Sequence, residues 1–344
     1  MLNFDSSYLT EVGTKLFKAC GAPEEEARIV AEELVDASLM GIDSHGIIRY
    51  IWYVDEVLNG KIKPGAPFRI VKETESTAIV DCGLNFGPVT GRKMTEIAYE
   101  KAKKMGVSCV TSVRSHHVSR LGAYPQILAE KKMLCFAVAS CYKYGHWVAP
   151  WGGREGRLAT NPLAYGVPSN KYPIILDMST SMIPEGKIKT CLHKDVPVPP
   201  GCILDAEGRP TTDPKAFYGP PMGTILPFGS EYGYKGFGLG LLVEMFGGKL
   251  AGEDLSDEYR YVNCMTLIAI NPDFFCGTER YIQLIAELSE YVTGTPPAPG
   301  FDRVVMPGTY DFETKEKRLR DGIPVPEETW RQIVAAAEKV GVRL

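Results

Sequence analysis

A chain of 344 residues exceeds the roughly 100 to 200 residues of a typical domain, so two packed units are expected. Its 44% hydrophobic and 23% charged residues match globular proteins and exclude disordered or collagen-like classes. With 38 Lys plus Arg against 42 Asp plus Glu, the formal charge of -4 leaves no basic surplus, so neither a nucleic acid nor an anionic membrane is an expected partner.

No apolar run approaches the roughly 18 residues that a spanning helix needs. Met1-Leu2-Asn3-Phe4-Asp5 opens with an acid where a signal peptide carries bases, so a cytoplasmic location is expected. Nine scattered cysteines, odd in number and without a C-x-x-C pair, read as reduced core residues.

In chain order, Leu9, Val12 and Leu16 share a helical face, and Pro23 followed by Glu24, Glu25 and Glu26 starts a second helix. A third apolar face, Ile48, Ile51, Val54 and Leu58, follows Asp43-Ser44-His45-Gly46, which places that polar cluster at or just before a helix start. From about residue 66 short β-branched runs alternate with helical stretches. Strands are expected over 77–82, 107–113 and 134–140, with helices over 93–105 and 121–132. The Pro- and Gly-rich segments 196–214 and 220–229 read as ordered loops over a site. A helix from Gly236, a strand over 265–271, a helix over 281–292 and an amphipathic tail helix over 327–340 complete the chain. The tail places Trp330, Ile333, Val334 and Ala337 on one side, suited to packing on the N-terminal helices. No fixed-period repeat is present.

Three of the five histidines lie in two polar clusters, one containing His45 and the other Arg114-Ser115-His116-His117. Histidine titrates nearest neutrality and is the natural proton carrier for a reacting oxygen, although a structural hydrogen bond is the commoner role. Arg49 follows His45 by four residues, and its guanidinium suits a carboxylate; a salt bridge to Asp43 or Asp55 is the alternative. Tyr50 and Tyr53 read as wall residues. A metal held by Asp43, His45, His116 and His117, as in a metal-dependent hydrolase, lacks the usual ligand spacing, and no G-x-S-x-G elbow exposes a serine.

The stretch Gly233-Tyr234-Lys235-Gly236-Phe237-Gly238-Leu239-Gly240 matches neither G-x-G-x-x-G nor the Walker motif. It reads either as a loop whose amides and Lys235 receive a phosphate, or as a glycine seam between helix and sheet. Polar islands at Thr160-Asn161-Pro162 and Asp177-Met178-Ser179-Thr180-Ser181 follow apolar strand ends, where binding sites and ordinary turns both occur.

Taken in order, these islands resemble the malate/L-lactate dehydrogenase family that is unrelated to the Rossmann-type enzymes of those names. The resemblance is carried by 43–49, 115–117, Val148-Ala149-Pro150-Trp151-Gly152-Gly153, 160–164, 176–181, Gly186-Lys187, 210–214 and Lys235-Gly236, and covers nearly the whole chain. Segment 196–202, with Arg120-Leu121-Gly122, is most similar to the hydroxycarboxylate dehydrogenase B branch. The resemblance implies an α/β fold with a non-Rossmann NAD(P)-binding domain and a mixed sheet (66–294). It also implies a helical substrate and dimerisation domain from both chain ends (1–65 and 295–344), assembled as a homodimer.

The implied reaction is hydride transfer between NAD or NADP and C2 of a small 2-oxo or 2-hydroxy carboxylic acid, with no metal. A cyclic imine carboxylate reductase on the same scaffold is the alternative. His117 matches the family's acid/base histidine and His45 one given the proton-donor role in other members. Arg49 would orient the substrate carboxylate, Ser44 would bond the reacting end, and Tyr53 would line the pocket. Thr160, Asn161, Asp177, Met178, Ser179, Lys235 and Gly236 are the implied cofactor residues. Arg120 and Lys143 are basic candidates for contact near the ribose 2′ position. The chain departs from the family pattern at 141–147, 230–234 and 260–264, which touches local cofactor contacts.

Overall fold

Asp5 caps the first helix by accepting the Ser7 backbone N–H at 2.7 Å, and Pro23 with three glutamates opens the second. In the computed structural model, residues 1–141, 145–252 and 262–344 are described. Lys143, the other residues of 142–144 and the pair Arg260-Tyr261 lie outside them, although the sequence pattern singles them out.

The chain begins β1 (Leu2–Phe4), α1 (Ser6–Ala19), α2 (Glu24–Leu39), α3 (Arg49–Leu58), β2 (Arg69–Glu73) and β3 (Thr77–Asp81). It continues α4 (Gly87–Met105), β4 (Val107–Val113), α5 (Ala123–Glu130), β5 (Leu134–Cys141), β6 (Leu163–Val167), β7 (Ile174–Met178) and α6 (Glu185–Lys194). Then come β8 (Ile203–Leu204), β9 (Pro210–Thr211), α7 (Pro214–Tyr218), β10 (Thr224–Ile225) and α8 (Gly233–Gly247). The last elements are β11 (Asn263–Ile270), α9 (Thr278–Thr293), α10 (Thr309–Asp321), β12 (Ile323–Val325) and α11 (Glu327–Lys339).

Seven strands form one mixed sheet in the order β2-β3-β4-β11-β5-β6-β7. The β3–β4 pair is parallel and the other neighbours pair antiparallel, so the sheet is not doubly wound. Side-chain alternation along β5 separates its two faces. Ala137 and Ala139 pack with Met94, Ala98, Tyr124 and Leu128 of α4 and α5, whereas Val138 packs with Val243 of α8. A second core gathers Leu9, Leu16, Leu34, Tyr50, Tyr53 and Val54 with Ile323, Ile333 and Ala337, drawing on both chain ends. Each large apolar side chain buried there contributes about 1.5–3 kcal/mol. The loops 196–214 and 220–229 are ordered by a small sheet, β10-β8-β9, over a core containing Ile188, Ile203 and Phe217.

Several expectations shift. Helix α4 starts at Gly87, six residues before the expected Lys93, because Pro88 occupies its first turn and Gly87 lies against the His117 backbone. Helix α3 buries Tyr50, Tyr53 and Val54, leaving Ile48 and Leu58 exposed. The tyrosines win that face because each buries a ring and finds a partner for its hydroxyl: Tyr50 donates to Leu9 O at 2.9 Å, and the Tyr53 hydroxyl lies 2.9 Å from both the backbone O and Nδ1 of His117. Cys82, Cys135, Cys202 and Cys264 are core residues as expected, but Cys276 is exposed on the loop before α9. Among the described residues no helix is long and apolar enough to cross a membrane.

Candidate active site

The Asp43–His45 turn is a single 3-10 turn between α2 and α3, held from both sides. Gly46 fits because a Cβ there would stand 2.0 Å from Ser38 Oγ, the atom that accepts the Ile47 backbone N–H at 3.0 Å. Arg318 of α10 forks onto Asp43, with Nη1 2.5 Å from Oδ1 and Nη2 3.1 Å from Oδ2. Asp55 pairs with Lys339 at 2.9 Å. Both acids proposed as salt-bridge partners of Arg49 are therefore engaged elsewhere. The Arg49 side chain donates from Nε to Ser44 O at 2.7 Å and lies over the Trp52 ring at 5.2 Å.

The second histidine cluster meets the first. His45 and His117 stack at 5.5 Å between ring centroids, with 21° between planes. Ser44 Oγ is 2.9 Å from His45 Nδ1. Tyr53 O–H is 2.9 Å from His117 Nδ1, and the Ser119 backbone N–H reaches the same nitrogen at 3.3 Å. Ser119 Oγ donates to His45 O at 3.0 Å, which joins the clusters again. Burial, reinforced by the Arg49 and Arg120 cations, lowers His45 to about 3. Burial followed by Arg49 holds His117 well below the ordinary histidine range. Both imidazoles are therefore neutral in the free site at neutral pH.

Tyr53 is fully buried behind His117, so it supports the imidazole and does not line the pocket. Trp52 takes the wall position: it is half-buried and packs edge-on to His117 at 5.2 Å. Sequence reasoning passed over Trp52, although it follows Arg49 by three residues and so shares its helix face. Ser119 and Glu56 were also missed. Glu56 is 3.3 Å from His116 Nε2 and 3.0 Å from Lys61, so His116 faces away from the His45 pair. The four residues of the metal alternative turn to separate partners, and no metal-ligating cluster of three such residues occurs among the described residues.

The expected cofactor residues form one neighbourhood at the paired ends of β6 and β7 and the start of α8. A backbone ladder connects them: Thr180 N–H to Thr160 O, Phe228 N–H to Thr180 O, and Gly236 N–H to Phe228 O, at 2.9, 2.9 and 3.1 Å. Because the Gly236 amide is consumed in that ladder, Gly236 is a seam glycine and its N–H is not offered to a phosphate. Asn161 is fully buried, and its Nδ2 donates to Gly240 O and Glu244 Oε1, pinning α8 to the sheet. Thr160, Met178 and Ser179 are half-buried, and Lys235 is exposed beside the Tyr232 ring at 5.3 Å. Asp177 accepts the Gly122 N–H at 2.7 Å, which ties the end of β7 to the start of α5; burial raises its carboxyl. Arg120 is committed inside the protein to Asp36 and Gln126, at 2.9 and 2.7 Å, and so does not serve the ribose 2′ position.

The mixed sheet order is not that of a doubly wound Rossmann domain. Residues 4–334 match the malate/L-lactate dehydrogenase family, to which the chain belongs. It is similar to the L-sulfolactate dehydrogenase of Methanocaldococcus jannaschii, at 37% identity over 96% of this chain and 94% of that protein. It is similar to hydroxycarboxylate dehydrogenase B of Escherichia coli O157:H7, at 33% identity over 98% and 94%. The solved structure of malate dehydrogenase from Entamoeba histolytica superposes with a TM-score of 0.93 at 28% identity, covering 100% of this chain and 99% of that one. A Δ1-piperideine-2-carboxylate reductase from Pseudomonas syringae, at 24% identity and a TM-score of 0.83 over 98% and 100%, shares the fold.

Proposed function

We propose that the protein transfers a hydride reversibly between a nicotinamide cofactor, NAD or NADP, and C2 of a small 2-oxo or 2-hydroxy carboxylic acid. The observation that carries this reading is the convergence of Arg49, Ser44, His45 and His117 on one stacked pair of neutral imidazoles. Arg49 holds the substrate carboxylate through its guanidinium fork. Ser44 and the imidazoles surround the C2 oxygen, and the Trp52 indole fixes the guanidinium plane.

The residues at the β6–β7 end fit a dinucleotide by their chemistry: the hydroxyls of Thr160 and Ser179 suit ribose, the Lys235 ammonium suits phosphate, and Met178 offers an apolar wall. When bound, the nicotinamide supplies or accepts the hydride.

We also propose the helical unit of residues 1–65 and 295–344 as the dimer-forming part beside an α/β unit of 66–294, in a homodimer. Within the α/β unit, helix α9 buries no residue and exposes Leu288 and Tyr291, a further face that a second copy would cover. The deciding experiment follows nicotinamide absorbance with NADH and NADPH against 2-oxo acids that differ in side chain and against one cyclic imine acid. Turnover of an oxo acid supports the reading and names the cofactor. Turnover of the imine alone moves it to imine reduction, and silence on every substrate overturns it.

A further inference from the structure

The Ser119 backbone N–H reaches Nδ1 of His117 at 3.3 Å, and a peptide N–H can only donate. Nδ1 must therefore keep its lone pair, and a neutral imidazole without a proton on Nδ1 carries it on Nε2. The Tyr53 hydroxyl has one proton and two acceptors in reach, Nδ1 and His117 O, each at 2.9 Å; with Nδ1 held as an acceptor by the Ser119 N–H, that proton turns to Nδ1. We propose that Ser119 and Tyr53 are positioning residues that lock His117 as the Nε2–H tautomer, so that it donates a hydrogen bond to the substrate's C2 oxygen while His45 carries the proton. These roles rest on the protein being a 2-hydroxy acid dehydrogenase.

An imidazolium at His117 would need a second proton on Nδ1, pointing into the Ser119 N–H. Forming it would break that bond and set two donors against each other. His45 has no such bar. Its Nδ1 faces the Ser44 hydroxyl, a rotor that donates or accepts, so both tautomers and the protonated ring are accommodated. The titratable groups around the two rings are Arg49 and Tyr53 from α3, His116, next in the chain to His117 with its own ring turned to Glu56, and Arg120 near His45. Arg49 is one cause of the low basicity of His45. A substrate carboxylate on Arg49 offsets that charge, so binding raises the proton affinity of the ring that can use it.

In the reducing direction the hydride brings its electron pair to C2, and the C=O π pair becomes a lone pair on oxygen. That oxygen keeps the His117 Nε2–H hydrogen bond and takes the proton from protonated His45, which ends neutral. Oxidation runs the same transfers backwards. A neutral imidazole that polarises a carbonyl in this way is an established arrangement in other enzymes.

The test begins with imidazole nitrogen spectra of the full chain labelled with 15N-histidine, His117 being assigned by its disappearance in His117→Gln. The expected result is an unprotonated Nδ1 and a protonated Nε2 from about pH 5.5 to about pH 8.5. A proton on Nδ1, or an imidazolium near neutrality, overturns the lock; this readout uses the unaltered protein and needs no substrate. The second arm is turnover. Glutamine places an amide N–H near Nε2 but carries no titrating proton, so His117→Gln is expected to lower kcat roughly 10-fold and His117→Ala roughly 1000-fold, with the pH profile kept in His117→Gln and lost in His45→Gln. Equal losses in the two His117 variants overturn the donor role. Wild-type silence with all oxo acids overturns the dehydrogenase activity and with it the catalytic roles of both rings, while the spectra still report the tautomer.

Discussion

Arg318 and Asp43 form a forked ion pair between α10, near the C-terminus, and the turn that carries Ser44 and His45. Arg318 also donates to Ser38 O, so one guanidinium holds both the end of α2 and the turn that follows it. Replacing it by methionine keeps the aliphatic stem and removes the fork. Because Asp43 is largely exposed, the stability loss should be small, about 1 kcal/mol. The turn is then less fixed, and kcat/KM for the oxo acid should fall roughly 10-fold. A variant with full activity and unchanged unfolding midpoint would show that the turn holds itself.

Arg49 provides a second prediction, because its planar fork and its charge act separately. Arg49→Lys keeps the cation but not the fork, and should raise substrate KM roughly 10-fold or more. Arg49→Ala removes both, and should lower kcat/KM by about two to three orders of magnitude. Removing the charge also takes away a cause of low basicity at His45 and His117, so both imidazoles should titrate at higher pH in Arg49→Ala than in the wild type. Burial is the larger cause at each ring, so neither should return to the ordinary value. Histidine NMR titration reads this, and unmoved titrations would remove Arg49 from the site's electrostatics.

How much of this was legible beforehand follows from what each residue answers to. Helices α1, α2 and α11 were readable because one face of each meets one core, and local caps agree with that burial. The face of α3 was misread because a count of aliphatic residues ignores hydroxyls: Tyr50 and Tyr53 go inside only because Leu9 O and His117 wait there, far away in sequence. Helix α10 escaped notice since it buries only Phe312 and is otherwise charged, and β1 since three residues show no period until β12 pairs with them. The candidate site residues Ser44, His45, Arg49 and His117 were visible as polar clusters with a familiar order. Ser119 was not, because its contact to the His117 ring is a backbone N–H, which every residue but proline carries, and its hydroxyl meets His45 O only through the fold.

Acid sensitivity follows from the same two imidazoles. His45 titrates at about 3 in the folded protein, against 6.5 ordinarily, and His117 well below 6.5. A histidine depressed on folding contributes stability that is present above the unfolded value and is lost as pH falls from there towards the folded value. Between about pH 6.5 and about pH 3 the unfolded chain binds more protons at His45, which costs up to ~1.4 kcal/mol per pH unit, and His117 acts in the same direction. Urea midpoints at about pH 7.5 and about pH 5 should therefore drop less for His45→Gln than for the wild type. Equal drops would mean that His45 is no less basic folded than unfolded.

The glycines of α8 separate a packing seam from a phosphate loop. At Gly236 an added Cβ would stand 2.1 Å from Phe228 O and 2.5 Å from Phe228 N, both backbone atoms that belong to the ladder joining α8 to β7. Neither can move without breaking that ladder, so Gly236→Ala should cost about 2–4 kcal/mol and disturb cofactor binding through the displaced start of α8. Two residues on, Gly238 points into open space, and an alanine there meets nothing within 4 Å. Glycine inside a helix is about 0.5–1 kcal/mol worse than alanine, so Gly238→Ala should stabilise the fold by that amount. Thermal unfolding of the two variants, with cofactor titration by nicotinamide fluorescence, makes the comparison. A seam predicts opposite signs in stability and unchanged cofactor affinity in Gly238→Ala. If instead Gly238→Ala folds well but loses the cofactor, that glycine lies against the dinucleotide and the packing account of the repeat fails at that position.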